Sequence, residues 1–254
     1  MSHWSDFSID AVVSPVDFSF NSDDKDILAY YTLLLLALEE LYYLYEFKSA
    51  DYVLSHIDED ISKLQKSMLD NVNQLDKSFN EKYRDTLTKE GILPENIGKI
   101  KTLNKEVLKF LKKEQTQTIK NICQELKGQL KSKIFYLKSR NSDRLFSVNS
   151  NFTKAVQRLR KLADYGVKSS RGMGQKEAEM FLYGDTLVWW ECLHDGKTCG
   201  FCLENEALSP FNLSDCPAYP AHVQCGSRCN LVIKDEDKTL TPDAEDLKYY
   251  QIGE

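Results

Sequence analysis

The side chains with the clearest chemical potential are cysteines and one histidine near the end of the chain. Six of the seven cysteines lie between residues 189 and 233, mainly in two clusters separated by a polar stretch. The first cluster is a C-x-x-C pair, and the second has the pattern H-x-x-C-x-x-x-C. Two such groups joined by a loop can surround a tetrahedral zinc ion, which then cross-links a region with little apolar core. The candidate metal ligands are Cys199, Cys202, His222, Cys225 and Cys229.

Buried thiols and disulfides are the two alternatives to a metal site. Cys123 fits the first, because it lies in a helical apolar row with Ile119, Ile122 and Leu126. The clustered cysteines fit it poorly, since Gly, Ser, Asn and Arg flank them. The odd cysteine count and the lack of a signal-peptide pattern favour a reducing compartment, where disulfides are uncommon. We therefore expect a structural zinc ion.

A catalytic zinc ion would need an open coordination position and a nearby general base. His194 and Asp195 are the tempting pair, but His-Asp-Gly-Lys is also typical of a turn, in which Asp195 accepts backbone N–H groups. The chain lacks the H-x-E and P-C-x-x-C patterns of deaminases, and it lacks G-x-S-x-G and H-E-x-x-H. We predict no catalytic residue and no small-molecule substrate. The alternatives are a zinc-dependent hydrolase or nuclease and a nonspecific DNA-binding module.

Charge is distributed in three blocks, although the net charge is only −6. Residues 1–98 carry a net −11, residues 99–176 a net +15 and residues 177–254 a net −10. A basic middle between acidic ends indicates a surface facing a polyanion, charge matching within or between subunits, or a solvated helical face. Contact with DNA would involve phosphates without base readout. The lysines that would make it are Lys105, Lys109, Lys112, Lys113, Lys120, Lys127 and Lys131.

Helical periodicity dominates the first part of the chain. A helix capped by Asp23 or Asp24 is expected to run to about residue 48. Apolar residues recur every three or four positions over 51–89 and again over 95–140, which predicts two long helices. A short break containing Gly and Pro joins them, so they should form an antiparallel hairpin, or else an arm that pairs with another chain.

The last third is predicted to mix short helices and strands. The expected elements are a basic helix at 152–165, a loop at 168–175, a short helix at 176–182, a strand at 186–192 and a return strand at 230–234. The fold class is therefore mainly α, with a long helical hairpin or bundle followed by a small α+β domain stapled by zinc. The predicted units are an extended arm at 1–22, a helical domain at 23–150, a C-terminal domain at 151–234 and an acidic tail at 235–254. No apolar run is long enough to predict a membrane span.

The C-terminal region resembles the Mu F-like minor head proteins of tailed phages, also called head morphogenesis proteins. That family has a strand with Trp, an Asp before C-x-x-C, a Pro-Phe in the loop, and then Pro, His, Cys, Arg-Cys and an apolar strand. The matching residues in order are Trp190, Asp195, Cys199, Cys202, Pro210-Phe211, Pro220, His222, Cys225, Arg228-Cys229 and residues 231–233. The match covers roughly the last third of the chain.

This sequence also departs from the family pattern. Val223 stands where the family usually has Pro, and Gly226-Ser227 separate Cys225 from Arg228-Cys229. The insertion leaves open whether Cys225 or Cys229 takes the fourth coordination position beside Cys199, Cys202 and His222. An all-cysteine site, with His222 outside the metal shell, is the other possibility. Trp190, Asp195 and Arg228 are expected to support the ligands without binding the metal.

The resemblance implies a structural protein present in few copies in the virion or procapsid, made in the host cytoplasm. It implies partners among portal, capsid and scaffold proteins, and a role at the portal vertex in head assembly or in DNA packaging and delivery. The basic segment would then lie near packaged DNA.

Overall fold

The computed structural model describes residues 16–97, 105–139, 147–194, 198–216 and 229–238. These residues form a mainly helical protein with one small sheet. The helices are α1 (Lys25–Glu46), α2 (Ala50–Asp70), α3 (Leu75–Lys89), α4 (Pro94–Ile97), α5 (Lys105–Ser139), α6 (Asn149–Tyr183) and α7 (Gly200–Leu208). The strands are β1 (Leu187–Cys192), β2 (Phe211–Asn212) and β3 (Cys229–Val232).

The first helix, α1, lies in the core of the bundle. Asp24 caps it by accepting hydrogen bonds from the backbone N–H groups of Asp26 and Ile27, as the sequence predicts. Among the described helices, α1 is the one that is long and apolar enough to cross a membrane. Here it packs against α2 and α6, and it contributes nine buried side chains to the core.

The predicted helix over 51–89 is divided into α2 and α3. A 3₁₀ turn at Asn71–Gln74 separates them, although the buried apolar row continues through Val72 and Leu75. The Asn71 side-chain amide donates hydrogen bonds to the carbonyl oxygens of Leu33 at 3.2 Å and Ser67 at 3.0 Å. Asparagine often makes such side-chain bonds to backbone, and they compete with a regular helix.

Helix α5 runs antiparallel to α2 and α3 within the same chain. Lysines that come later in α5 form ion pairs with carboxylates that come earlier in the sequence, as antiparallel packing requires. The pairs are Lys112–Asp76, Lys127–Asp58, Lys131–Asp58 and Lys138–Asp51. The basic middle of the chain is therefore partly matched by the acidic segment before it.

Helix α6 corrects the prediction of a loop at 168–175, because the chain is one helix from Asn149 to Tyr183. The small residues Ser169, Ser170, Gly172 and Gly174 are buried in it. The Ser170 hydroxyl donates to the Leu75 carbonyl, and a Cβ on Gly174 would overlap the Phe79 carbonyl. These residues therefore allow α6 to lie very close to α3, and they do not mark a turn.

The sheet follows α6 directly and has the strand order β2-β1-β3, with both pairs antiparallel. The predicted strands at 186–192 and 230–234 correspond to β1 and β3. Val188 and Trp190 face the core, and Leu231 lies opposite Trp190. The Lys176 ammonium of α6 donates to the carbonyls of Ser214 and Cys216, which holds the loop after β2 against the bundle.

The chain before α1 packs on the bundle over the residues that the structure describes. Val16 is buried, and the Phe18 and Phe20 rings contact Tyr42 and Tyr31, with ring centroids 5.2 and 4.6 Å apart. Arg160 of α6 donates to the carbonyls of residues 17 and 19. The predicted arm therefore docks on its own bundle from residue 16 onward, and residues 1–15 lie outside the described part. Residues 239–254 of the predicted tail also lie outside it.

Candidate metal centre

The C-x-x-C pair lies at the N-terminus of α7. Cys199 is the N-cap residue, and its carbonyl accepts a hydrogen bond from the Cys202 N–H at 3.0 Å. The Cys202 side chain is only 2% exposed, whereas that of Cys199 is half-buried. The N-terminus of a helix favours negative charge, which is the charge that metal-bound cysteines would place there.

The two long strands bring a second pair of cysteines to one end of the sheet. In the antiparallel register of β1 and β3, Cys192 lies opposite Cys229. Directly opposite residues lie on the same face of a sheet and within reach of each other. For Cys229 the structure describes the backbone position alone.

Cys192 joins this end of the sheet to α7. Its thiol donates to the Cys202 carbonyl, with sulfur and oxygen 3.3 Å apart. Its backbone N–H donates to Oε1 of Glu206 at 2.8 Å. Two turns of α7 are therefore bonded to the last residue of β1, which places Cys192 beside the C-x-x-C helix.

Glu206 also contacts His194, the second residue after β1. Its Oε2 lies 2.7 Å from Nε2 of His194, whose side chain is 62% exposed. His194 has a φ of +51°, in the left-handed region that non-glycine residues seldom adopt. A hydrolytic role of His194 as general base would have to compete with the Glu206 contact.

The structure describes only part of the predicted ligand set. Cys199 and Cys202 share one helical turn, while the side chains of His222, Cys225 and Cys229 lie outside the described residues. Asp195 and Arg228 also lie outside them, and Trp190 is a core residue of β1 with 1% exposure. Within the described ranges, no three Cys, His, Asp or Glu side chains are grouped so as to hold a metal ion.

The sequence analysis names His194 only for a catalytic role, and it misses Cys192 and Glu206. Helix α7, which carries Glu206, lies in the stretch that the sequence predicts as a polar loop. One signal was available for Cys192. It lies two positions after Trp190 in a predicted strand, so strand alternation puts it on the buried face.

Two further cysteines have environments unsuited to a metal. Cys123 is fully buried in α5, as its apolar row predicts, and burial raises the pKa of its thiol to about 12. Burial likewise raises the pKa of the Cys216 thiol to about 11. Both thiols are therefore protonated near neutral pH, in contrast to the thiolates that bind zinc.

The lysines predicted to contact DNA fall into two groups. Lys112, Lys127 and Lys131 form the ion pairs with α2 and α3 described above. Lys109, Lys113 and Lys120 are exposed, and the Lys105 side chain lies outside the described residues. Part of the predicted basic surface is therefore neutralised by the protein's own carboxylates.

Comparison of the chain with protein-family models, with curated proteins and with solved structures finds no match.

Proposed function

We propose that this protein is a structural, non-enzymatic component of a phage or prophage head, of the minor head type, acting near the portal vertex. What supports the head assignment is the order of motif residues from Trp190 to Cys229. The helical bundle would dock on a portal, capsid or scaffold protein, and the small sheet unit would be held together by zinc. The virion or procapsid would be its place of action.

The observation that carries the structural role is the contact of β1 with both β3 and the C-x-x-C helix α7. Cys229 pairs with Cys192 across the sheet, and the Cys192 thiol contacts the backbone of Cys202. Candidate ligands that are 27 or more positions apart in sequence are thus carried by elements that pack on the same strand. A structural zinc site needs this arrangement, because four protein ligands must close around the ion.

The donor types available at this end of the sheet suit zinc. Thiolates are soft ligands that bind zinc at about 2.3 Å, and four protein ligands leave no open position for water. Cys199, Cys202 and Cys229 would hold the ion together with one further ligand. Its contribution would be a cross-link between strand and helix, with no chemical step.

Apolar side chains exposed on α1 support docking on a larger assembly. Large apolar residues recur at intervals of four to eight along its outer face, as a continuous stripe requires. An exposed stripe of this kind marks a protein–protein contact more often than a purely solvated surface. The residues are Leu28, Leu36 and Tyr43 of α1 and its C-cap residue Phe47, of which Phe47 is 84% exposed and Tyr43 55% exposed.

Co-expression with the portal and major capsid proteins encoded in the same genome tests the proposal. We expect the protein to co-sediment with procapsids or portal rings. Replacing Leu36 and Phe47 by Glu should abolish co-sedimentation, whereas Lys63→Glu, on the exposed face of α2, should leave it intact. Failure of the unaltered protein to associate with either partner would contradict the proposal.

A further inference from the structure

We propose that Cys192 is the fourth ligand of the zinc site, together with Cys199, Cys202 and Cys229. This assignment rests on the structural metal proposed above. It gives the ion four thiolates, and it leaves His222 and Cys225 outside the shell. The spacing of the sequence motif does not suggest it, because Cys192 lies seven positions before the C-x-x-C pair.

The alternation of β1 places Cys192 on the side of the sheet that faces α7. Val188 and Trp190 are buried, whereas Leu187 and Glu191 are exposed, so every second residue points inward. Cys192 is the next inward-pointing position of β1, and it packs partly against the core. Helix α7 covers this part of β1, and it carries Cys202 buried on the same side.

The register of β1 and β3 is compatible with two sulfurs on one metal. Cα atoms directly opposite in an antiparallel pair are about 4.5–5.5 Å apart. Zinc–sulfur bonds of about 2.3 Å in a tetrahedron place neighbouring sulfurs roughly 3.8 Å apart. The backbone positions of residues 192 and 229 are therefore close enough for two ligands of one metal ion.

The polar contacts of Cys192 position it for this role. Glu206 accepts a hydrogen bond from its backbone N–H, and its thiol donates to the Cys202 carbonyl in the first turn of α7. The described side chains of Cys192, Cys199 and Cys202 do not form a metal-binding group as they stand, so zinc would have to draw the Cys192 thiol away from that carbonyl. Loss of that thiol proton on metal binding would exchange one weak hydrogen bond for a zinc–sulfur bond. The N-terminus of α7 would also offset part of the charge of −2 that zinc with four thiolates carries.

Glu206 is a positioning residue in this arrangement. One carboxylate oxygen accepts from the Cys192 N–H, and the other is 2.7 Å from the His194 ring nitrogen. The same side chain thus holds the last residue of β1 and the nearby His194 against α7. Outer groups of this kind keep metal ligands in place, and their loss typically lowers metal affinity by roughly 10–100-fold.

Metal-dependent alkylation of the intact chain is the direct test. The zinc-loaded protein is treated with a thiol reagent under reducing conditions, and the modified cysteines are identified by mass spectrometry before and after chelation. We expect four cysteines to be protected by zinc and released by chelator. They are Cys192, Cys199, Cys202 and Cys229, while Cys225 should react in both states.

Cobalt substitution provides a second, independent measurement. Sulfur-to-cobalt charge-transfer absorbance scales with the number of thiolates, so Cys192→Ser should lower it by about a quarter and weaken zinc binding by more than 100-fold. The matched control is Cys216→Ser, which should change neither. Circular dichroism of each variant verifies that the bundle is folded.

The possible results distinguish failure of the Cys192 assignment from failure of the proposed zinc site. Retention of the full charge-transfer band by Cys192→Ser, or alkylation of Cys192 in the zinc-loaded protein, overturns the inference. Loss of metal in His222→Gln or Cys225→Ser overturns it as well, and so does a Cys192–Cys229 disulfide in the loaded protein. Absence of any zinc in the unaltered protein would instead remove the metal site itself.

Discussion

Within the bundle, five long helices bury rows of apolar side chains against one another, whereas the sheet unit after residue 187 buries few. Among the described residues of that unit, the buried apolar and thiol side chains are Val188, Trp190, Cys202, Leu213, Cys216, Leu231 and Ile233. Burying a single large apolar side chain contributes roughly 1.5–3 kcal/mol, and each ordered residue costs about 1–2 kcal/mol of conformational entropy. Packing alone therefore contributes far more to the bundle than to the sheet unit, where the zinc ion proposed above would add a cross-link.

Removal of zinc by a chelator should produce the largest difference between the two regions. Zinc sites in small domains contribute roughly 10 kcal/mol or more of apparent binding free energy, so the sheet unit should lose its order. Fluorescence of Trp189 and Trp190 should shift to the red, and new protease cleavage should appear between residues 193 and 228. The helical circular dichroism should fall only slightly, because the bundle keeps its core. Simultaneous melting of the helices would show that the two regions depend on one metal.

Gly174→Ala should cause the largest loss within the bundle. The added methyl group would overlap the Phe79 carbonyl, which cannot move without shifting α3, so the free energy of unfolding should fall by about 3 kcal/mol. The control is Gly128→Ala in α5, where nothing lies within 4 Å of the added carbon. That change should stabilise the helix by about 0.5–1 kcal/mol. Urea unfolding followed by circular dichroism measures both, and equal effects would contradict the close helix contact.

Arg171→Ala should have a smaller effect that depends on pH. Arg171 of α6 pairs with both Asp24 and Asp26 at the start of α1, and its loss should cost about 1 kcal/mol at pH 7. Burial alone would raise the pKa of Asp24, but the Arg171 guanidinium and backbone N–H groups outweigh burial and hold that pKa below its ordinary value of 3.8.

The lowered pKa fixes the sign of this pH dependence. A carboxyl group whose pKa is lower in the folded state stabilises the protein above its unfolded pKa, and this contribution is lost as the pH falls through the folded value. The difference between the unaltered protein and Arg171→Ala should therefore be full at pH 7 and should shrink below about pH 4. Urea midpoints at several pH values measure it. A difference that stays constant with pH would contradict the ion-pair explanation.

Long helices were the part of the fold that the sequence could predict. The apolar rows of α2, α3 and α5 recur every three or four positions, and Asp24 marks the start of α1, because periodicity and capping act within a few residues. Strands β1 and β3 were also predictable from their branched and aromatic residues.

The unpredicted features depend on contacts distant in sequence. Ser169, Ser170 and Gly174 are typical of a loop when viewed locally, yet they lie where α3 approaches α6 most closely. A small residue is compatible with a loop or with a helix, and the contact with α3 determines that a helix forms here. The role proposed for Cys192 likewise depends on the β1–β3 register, which no local pattern specifies.

Helix α6 links the two ends of the described chain through a single rigid element. Arg160 and Arg171 bind residues 17–26 to its middle turns, and three residues after its last turn the chain enters β1. A helix of 35 residues is about 50 Å long. A binding partner that displaced the N-terminal segment would therefore act on the same helix that leads into β1.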